Sequence, residues 1–390
     1  MQTVRLKPKH DPRVRGGHPW VFSNEIADDV GGLEPGGAVE VFDAKGTFLG
    51  VGIANPNSLI AVRILSRKRG VDLDSPDWWT ARIRAAAAYR AAVYPDRASL
   101  RLVNAEGDGL SGLIVDRYGD HLAVQLNAVG TERRRALLEV ALREALAPAS
   151  AVLRSEGKAR QLEGLPDERA VWFGEPPESV VIDELGVRMR IALLGGQKTG
   201  HFFDQAENRA FAGKLCRGRT VLDVYAHTGS WALHALAGGA ARATVIDRSE
   251  EACGRAVDNA ALNGVSDRLE AVCGDAHDTL RALSGEAYGA VILDPPAFAK
   301  SRKTAGNAIR GYREINELAI RLVAPGGLFF TSSCSYHAEE ERFVEAVAEA
   351  ARAARRSIRI IRRGEQAPDH PMVPWIPETR YLKSLALYVD

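Results

Sequence analysis

The stretch TVLDVYAHTGS, residues 220–230, decides the fold class of this chain. It is an apolar run of strand length that carries an acid near its end, and Gly229 closes the turn that follows. An apolar run followed by a helical stretch recurs downstream at ATVIDRS (243–249), LEAVCGD (269–275), AVILDPP (290–296) and GLFFTSS (327–333). Strands that alternate with helices predict βαβ units and a parallel, doubly wound sheet. We therefore predict an α/β domain over residues 186–390, with ligands bound beyond the carboxyl ends of its strands.

Two smaller domains are predicted ahead of this sheet, because 390 residues exceed one ordinary hydrophobic core. Residues 36–66 alternate apolar and polar side chains, and glycine and Asn-Pro interrupt them, which predicts a small β-barrel over residues 1–70. Residues 72–185 combine an Ala/Arg-rich helix, several strands and a second helix, which predicts a small α+β domain.

The composition is that of a soluble globular protein, with 46% hydrophobic and 26% charged residues. No apolar stretch approaches the roughly 18 residues that span a bilayer, and the basic start of the chain lacks the apolar segment of a secretory signal. The four cysteines show neither CxxC pairing nor histidine partners at metal-ligand spacing. We expect a cytoplasmic enzyme with reduced thiols, no bound metal and no membrane partner.

Acids at three successive strand ends indicate a nucleoside site. A dinucleotide fold would place the GxGxxG pattern after the first strand, whereas this turn has one glycine, Gly229, which disfavours NAD. Asp223 is the last acid before the turn that follows the first strand. Asp247 ends the second strand, where a carboxylate can hold both ribose hydroxyls. Asp275 follows the third strand, where it can accept a hydrogen bond from an exocyclic amine. Each acid alone could be a helix cap. Together they predict the S-adenosylmethionine site of a class I (Rossmann-like) methyltransferase.

Two further strand ends carry candidate reactive groups. The sequence LDPPAF puts Asp294 before two prolines, on a stiff edge where a carboxylate can bind the polar edge of a flipped base. Ala297 separates those prolines from the aromatic residue, unlike the motif of amino-methylating enzymes. Cys334 follows the fifth strand, and its thiolate could add to carbon 6 of a pyrimidine and thereby activate carbon 5 for methylation. The alternative is a cysteine packed as a small apolar residue.

Clusters of basic residues indicate an anionic partner, although the net charge is only +1. The first cluster lies in residues 1–18, the second in residues 62–69 and the third in residues 297–313. The predicted RNA contacts are Arg13, Arg15, Arg63, Lys300, Arg302 and Lys303. The alternative for each cluster is a solvated surface.

Over nearly its whole length, the chain resembles the RlmI-like family of large-subunit rRNA cytosine-5 methyltransferases. RVRGGHPWVFSNEI resembles its N-terminal PUA domain, RLVNAEGDGLSGLIVDRYGD its middle EEHEAD-type domain, and LDVYAHTGS, LDPPAFAKSRK, SSCSYH and RYLKSLALYVD its catalytic domain. The resemblance implies that Cys334 is the nucleophile and that QKTGHFFDQAENR closes over the methionine end of the cofactor. It also implies 23S rRNA, or an intermediate of large-subunit assembly, as partner, and mildly favours a homodimer.

The predicted site is therefore as follows. The catalytic residues are Cys334 and Asp294. The S-adenosylmethionine site comprises Thr199, Arg209, Asp223, Tyr225, Thr228, Gly229, Asp247, Arg248, Asp275, Ala276 and Asp294. The group that removes the carbon-5 proton is unassigned, with water or Asp294 as options.

Two other functions remain open on the sequence alone. The enzyme could methylate a base nitrogen of RNA, in which case Cys334 would be dispensable. The chain could also be an RNA-binding ribosome assembly factor whose methyltransferase domain is inactive, although acids at three strand ends argue against that function.

Overall fold

The structure is a computed structural model, and it describes residues 1–195, 200–285, 287–298, 305–336 and 338–390. The chain forms two compact units. Unit 1 comprises Met1–Ile182, Ile191–Phe203 and Pro368–Thr379, and unit 2 comprises Asp183–Arg190, Asp204–Ala367 and Arg380–Asp390. The three-domain division given above stays a prediction.

Unit 1 begins with a five-stranded sheet in the region predicted to be β-rich. Its elements are β1 (Gln2–Arg5), α1 (Pro12–Arg15), β2 (Trp20–Phe22), β3 (Ala38–Phe42), β4 (Phe48–Ala54) and β5 (Ile60–Ser66). The strands lie in the order β1-β3-β4-β5-β2, and only the β1–β3 pair is parallel. Alternate residues of β3 are buried, because successive side chains of a strand point to opposite faces. Those buried side chains form the core of this sheet with Val4, Leu6 and Val21.

The second sheet of unit 1 follows a long helix. The elements are α2 (Pro76–Val93), β6 (Ser99–Asn104), β7 (Leu113–Tyr118), β8 (His121–Leu126), α3 (Val129–Arg133), α4 (Arg135–Leu146), β9 (Ser150–Ser155), α5 (Lys158–Leu162) and β10 (Glu168–Phe173). The strand order is β10-β9-β8-β7-β6. Trp79 and Ile83 of α2 are fully buried in the core of this region. A hairpin of β11 (Ser179–Glu184) and β12 (Val187–Ala192) comes next, and its segment Asp183–Arg190 belongs to unit 2.

Unit 2 is built on a seven-stranded sheet, which confirms the predicted α/β fold. Its elements are α6 (Ala206–Leu215), β13 (Thr220–Val224), α7 (Ser230–Ala237), β14 (Arg242–Asp247), α8 (Glu250–Leu262), β15 (Leu269–Cys273), α9 (Ala276–Ala282), β16 (Tyr288–Leu293), α10 (Ala305–Arg321), β17 (Val323–Ser333), α11 (Glu340–Ala353), β18 (Ile358–Gly364) and β19 (Lys383–Val389). The strand order is β15-β14-β13-β16-β17-β19-β18.

The five predicted strands, β13 to β17, form parallel pairs with their neighbours in this order. They read as continuous apolar runs because helices cover both faces of a parallel sheet. The last two strands, β18 and β19, were not predicted from the sequence. β19 inserts antiparallel between β17 and β18, so the end of the chain pairs directly with the strand that leads to Cys334.

Within the described ranges, every helix is too short or too polar to span a bilayer.

Candidate active site

The carboxyl ends of the parallel strands bring five of the predicted residues of the site together at one edge of the sheet. In sheet order from β15 to β17, the residues at these ends are Asp275, Asp247, Asp223, Asp294 and Cys334. Adjacent strands lie about 5 Å apart, so each of these residues has the next as its neighbour along the edge. The sheet order therefore brings together five residues that span more than a hundred positions of the chain.

Asp223 is the most deeply buried acid of this edge, with no exposed surface. Its Oδ2 accepts a hydrogen bond of 3.0 Å from the backbone N–H of Ala232, while its Oδ1 has no partner among the described residues. Burial raises the pKa of Asp223 to about 8, and the neighbouring carboxylate of Asp294 adds to the rise. A buried carboxylate oxygen without a donor fits a cationic ligand group, such as the ammonium of a bound amino acid.

The turn after β13 has an unusual backbone that Asp247 holds in place. Tyr225 and His227 adopt positive φ values of 63° and 51°, a conformation that costs non-glycine residues roughly 1 kcal/mol or more each. The carboxylate of Asp247 accepts from the N–H of His227 and from the N–H of Ser249, each at 2.9 Å. One lone pair on each carboxylate oxygen is then left for a ligand hydroxyl.

Gly229 closes this turn and precedes α7. Its φ is +77°, and a Cβ at this position would lie 3.0 Å from the Cβ of Ala256, so a side chain here would meet both strain and a close neighbour. Thr228 is buried beside it. Burial raises the pKa of Tyr225 to about 12, and the charge of Asp275 contributes, so the phenol stays neutral and can donate a hydrogen bond.

Asp275 caps a helix in the structure. It is exposed, and its Oδ1 accepts from the backbone N–H of His277 at 2.9 Å and of Asp278 at 3.3 Å, at the start of α9. Ala276 is buried as the first residue of that helix, and Arg248 is exposed. Contacts of these three predicted residues with the cofactor stay predictions.

Asp294 is fixed by two side-chain donors that the sequence did not reveal. Gln205 Nε2 donates to its Oδ1 and Trp231 Nε1 donates to its Oδ2, both at 3.0 Å. Asn208 in turn donates to Gln205 Oε1 at 2.7 Å. Burial raises the pKa of Asp294 to about 6, although the bond from Trp231 opposes the rise. The two bonds therefore orient the carboxyl group, which with this pKa is mostly ionised near neutral pH.

Cys334 lies directly after β17 and is half-buried. The residue as a whole is therefore neither fully buried nor fully open to solvent. The other cysteines differ in surroundings: Cys216 and Cys253 are buried and Cys273 is exposed. Burial raises the pKa of Cys216 to about 12, which leaves that thiol inert near neutral pH.

Arg209 takes part in a buried ionic cluster. Its Nε and one terminal nitrogen donate to the two carboxylate oxygens of Glu184, each at 2.7 Å, and Nε2 of His234 lies 3.1 Å from the same carboxylate. All three side chains are almost fully buried. Within unit 2, the cluster joins Glu184, the last residue of β11, to α6 and α7. Contact of Arg209 with the cofactor stays a prediction.

We expect Arg209→Leu to lower the free energy of unfolding by about 3–5 kcal/mol, because it leaves the Glu184 carboxylate buried beside a hydrophobic side chain. Urea denaturation at fixed pH measures the effect. Arg255→Leu is the matched control, since its partner Glu251 is exposed and such pairs contribute about 1 kcal/mol or less. Equal losses in the two variants would contradict the structural role of the cluster.

The predicted RNA contacts in unit 1 already have acidic partners. Arg13 bonds to Glu25 at 2.9 Å, and Arg15 bonds to Asp11 and Asp43. Their side chains remain 33% and 43% exposed, respectively.

Arg63 is less accessible. It bonds to Glu163 at 2.8 Å and to Glu106 at 3.2 Å, and its side chain is only 15% exposed. Contact of these arginines with RNA stays a prediction. Thr199, Lys300, Arg302 and Lys303 lie outside the described residues.

Five residues that bond to groups of the site, or to the backbone beside them, were not predicted from the sequence: Gln205, Trp231, Glu184, His234 and Lys383. A weak signal existed for three of them, because Gln205 and Lys383 lie in the quoted segments QKTGHFFDQAENR and RYLKSLALYVD, and Trp231 comes two residues after Gly229. Glu184 and His234 carried no such signal.

Two protein families match the chain. A PUA-like domain matches residues 4–67, and an S-adenosylmethionine-dependent methyltransferase matches residues 109–386. The ribosomal RNA large subunit methyltransferase I of Photobacterium profundum is 37% identical over 397 residues, covering 99% of each chain. The protein of the same name from Shewanella denitrificans is 36% identical over 393 residues, again covering 99% of each.

Solved structures share the fold of the whole chain. A methyltransferase, SMU.776, complexed with SAH superposes with a TM-score of 0.86 at 18% identity, covering 100% of both chains. A SAM-dependent methyltransferase from Streptococcus mutans gives a TM-score of 0.84, also at 18% identity and 100% coverage. At this identity the likeness concerns the fold alone.

Proposed function

Because this chain belongs to the family of ribosomal RNA large subunit methyltransferases I, we propose that it transfers a methyl group from S-adenosylmethionine to carbon 5 of a cytosine in 23S rRNA. The single observation that carries the choice of carbon 5 is the half-buried thiol of Cys334, which follows the strand adjacent to the one that carries Asp294. A nitrogen of a base needs no such thiol, since its lone pair attacks a methyl donor directly.

The residues at the sheet edge fit S-adenosylmethionine, which supplies a methyl group bonded to a positively charged sulfur. Asp223 offers a buried oxygen without a donor to a cationic ligand group. Asp247 keeps a lone pair on each oxygen for the ribose hydroxyls. Asp275 and Tyr225 are proposed to contact the base end of the cofactor, because Asp275 follows the next strand of the sheet.

The thiol supports methylation of a carbon that is a poor nucleophile. The Cys334 thiolate forms a bond to carbon 6 of the cytosine, and the electron pair of the C5–C6 double bond moves to carbon 5. Carbon 5 then forms its bond to the methyl group, and the electron pair of the broken sulfur–methyl bond stays with the donor sulfur. Loss of the carbon-5 proton to a base restores the double bond and releases the thiolate.

Asp294 is proposed to bind the target base rather than to react with the cofactor. Its two oxygens are oriented by Gln205 and Trp231, and each retains a lone pair for an N–H group of the base. With a pKa of about 6, its carboxyl is mostly ionised at pH 7 and accepts from the exocyclic amine of cytosine. Water and Asp294 remain the options for removal of the carbon-5 proton.

The test is to delete the gene and to map 5-methylcytosine across the 23S rRNA, with nucleoside mass spectrometry of RNA methylated by the purified protein. We expect one cytosine position to lose its methyl group in the deletion strain. A methylated base nitrogen in the product would overturn the carbon-5 proposal, and failure to bind S-adenosylmethionine would favour an inactive assembly factor.

RNA binding by unit 1 is expected to weaken steeply with salt, because its contacts are proposed to be with phosphates. We expect Arg13→Ala combined with Arg15→Ala to reduce the slope of log affinity against log salt by about 2, one for each lost phosphate contact. Filter binding between 50 and 200 mM salt, roughly the range over which such complexes weaken strongly, measures the slope.

The matched control for this pair is Arg84→Ala, a similarly exposed arginine that pairs with Glu144. It is expected to leave the slope unchanged. A double variant with the slope of the unaltered protein would remove Arg13 and Arg15 from the RNA-binding surface.

A further inference from the structure

Lys383 is a buried lysine whose role the proposed mechanism does not yet include. It is the first residue of β19, and only 7% of it is exposed. In the antiparallel ladder of β17 and β19 it lies opposite Ser333, the residue directly before Cys334. A lysine is rarely buried unless its charge has a partner, so this position calls for a physical explanation.

The amine of Lys383 is bonded to the backbone on the far side of the cysteine. Nζ donates to the carbonyl oxygen of Ser335 at 2.6 Å and to that of Tyr381 at 2.9 Å. Ser335 directly follows Cys334, so Lys383 contacts the chain on both sides of the thiol. The side chain of Ser335 is held as well, by a 2.9 Å bond with the hydroxyl of Tyr312.

Among the described residues, the hydrogen-bond partners of the Lys383 amine are neutral carbonyl groups rather than a carboxylate. The nearby carboxylate of Glu340 is already bonded to Arg363 at 3.0 Å and to Arg380 at 2.7 Å. Burial lowers the pKa of Lys383 to about 8, and a negative charge on Cys334 would raise it again. The same attraction acts in reverse, because a positive amine favours the anionic form of a neighbouring thiol.

We propose that Lys383 is a positioning residue for the nucleophile: its ammonium group stabilises the Cys334 thiolate, and its two carbonyl bonds fix the backbone that carries the sulfur. This inference rests on the proposed function, in which Cys334 attacks the cytosine. The thiol loses its proton to water, and the ammonium balances the charge that remains on sulfur. After the thiolate leaves carbon 6, it forms the same ion pair with the ammonium group of Lys383 again.

The other groups around the thiol do not supply this charge. Tyr312 of α10 is a neutral phenol, because burial raises its pKa. Glu340 of α11 is negative, and it is shared by Arg363 of β18 and Arg380. Both arginine side chains are about half exposed, so water screens their charges. Lys383 is the buried cation that these described elements bring next to the cysteine.

The experiment measures the pH dependence of Cys334 alkylation by iodoacetamide, resolved by mass spectrometry, in a Cys273→Ser background that removes the exposed cysteine. We expect half-maximal alkylation of the parent protein below pH 8.5, roughly the value of a free thiol. Lys383→Met, which keeps the length of the side chain without its charge, is expected to move this midpoint upward by about one unit. At pH 7.5 the alkylation rate then falls about tenfold.

Two comparison variants separate charge from packing. Lys383→Arg retains a cation and is expected to keep the low midpoint. Arg380→Met removes a nearby cation of the same chain segment that is half exposed and bonded to Glu340. It is expected to leave the midpoint of Cys334 alkylation unchanged. A parent midpoint at or above that of a free thiol would overturn the proposal, and so would a Lys383→Arg profile that follows Lys383→Met.

Alkylation needs no RNA, so this result is independent of the product analysis that tests the proposed function. S-adenosylmethionine binding by each variant reports whether unit 2 is folded. If Lys383→Met fails to fold, the alkylation profiles of the parent protein and of Lys383→Arg still test the proposal. Loss of methylation in Lys383→Met with an unchanged alkylation profile would make the lysine merely structural and would overturn its role toward the thiolate.

Discussion

Cys334→Ala is expected to reduce methyl transfer to RNA by about 1000-fold or more while S-adenosylmethionine binds within about twofold of its original affinity. The physical reason is that the thiol and the carboxylates at the sheet edge are proposed to act on different molecules. The thiol acts only on the pyrimidine, by forming the bond to carbon 6, whereas the carboxylates at the ends of β13 and β14 are proposed to hold the methyl donor. Removing the sulfur therefore removes the activation of carbon 5 and leaves the donor site in place.

Transfer of a labelled methyl group to 23S rRNA measures the first quantity, and isothermal titration calorimetry measures the second. Cys216→Ala is the matched control, because this cysteine directly follows α6, before β13 begins, and burial raises the pKa of its thiol to about 12. It is expected to retain full activity. If Cys334→Ala loses binding together with activity, the residue is structural. If it retains activity, the target is a base nitrogen and the thiol has no catalytic part.

Asp223→Asn is expected to weaken S-adenosylmethionine binding by about 100-fold and, at the same time, to stabilise the ligand-free protein at pH 8. Its Oδ1 lacks a donor among the described residues, and the amide of asparagine can keep the bond from the Ala232 N–H through its remaining oxygen. The substitution removes the negative charge that a cationic ligand group would meet. It also removes the cost of a buried carboxylate in the ligand-free state.

The pH dependence of stability follows from the raised pKa. The folded-state pKa of Asp223 is about 8, above its ordinary value of 3.8. Stability from the protonated group is therefore fully present below about pH 4 and is lost as the pH rises to about 8. Asparagine does not titrate, so the advantage of Asp223→Asn should grow across this interval and then level off, at about 2 kcal/mol or more.

Denaturation by urea at pH 5 and pH 8 measures the stability difference, and calorimetry in buffers of different ionisation enthalpy measures the proton that leaves Asp223 when the ligand binds. Asp258→Asn, an exposed acid on α8, is the matched control and is expected to change neither quantity. Unchanged binding in Asp223→Asn would place the cofactor cation elsewhere. Stability independent of pH would mean that the carboxyl is ionised in the ligand-free protein.

Much of the catalytic fold could be predicted because its signals are local. Each parallel strand is a short apolar run, since helices cover both faces of the sheet, and each run ends in the polar residue that begins the next turn. Parallel strands with right-handed connections place all carboxyl ends at one edge. That rule alone brought Asp223, Asp247 and Asp294 to one edge with Cys334. The strand-end rule could not distinguish a residue that contacts a ligand from one that caps a helix. In the structure, Asp275 caps α9.

The supporting contacts could not be predicted because they join residues far apart in the chain. Glu184 and Arg209 are 25 residues apart and form a buried pair, and Gln205 reaches Asp294 across 89 residues. No periodicity marks such pairs, since each depends on how a loop or helix returns to the sheet. Arg209 was predicted as a cofactor residue from a family resemblance, and the structure gives it a buried carboxylate as partner.

The sequence by itself determined the parallel sheet, the acids at its strand ends and the thiol of Cys334 after β17, because hydrophobic periodicity and strand direction are properties of short segments. Only the tertiary structure decided how those groups are charged and oriented. The antiparallel return of β19 brings Lys383 to the backbone beside Cys334, and the burial of Asp223 raises its pKa. Burial and charge pairing depend on which distant segments exclude water from a group, and only the folded chain brings those segments together.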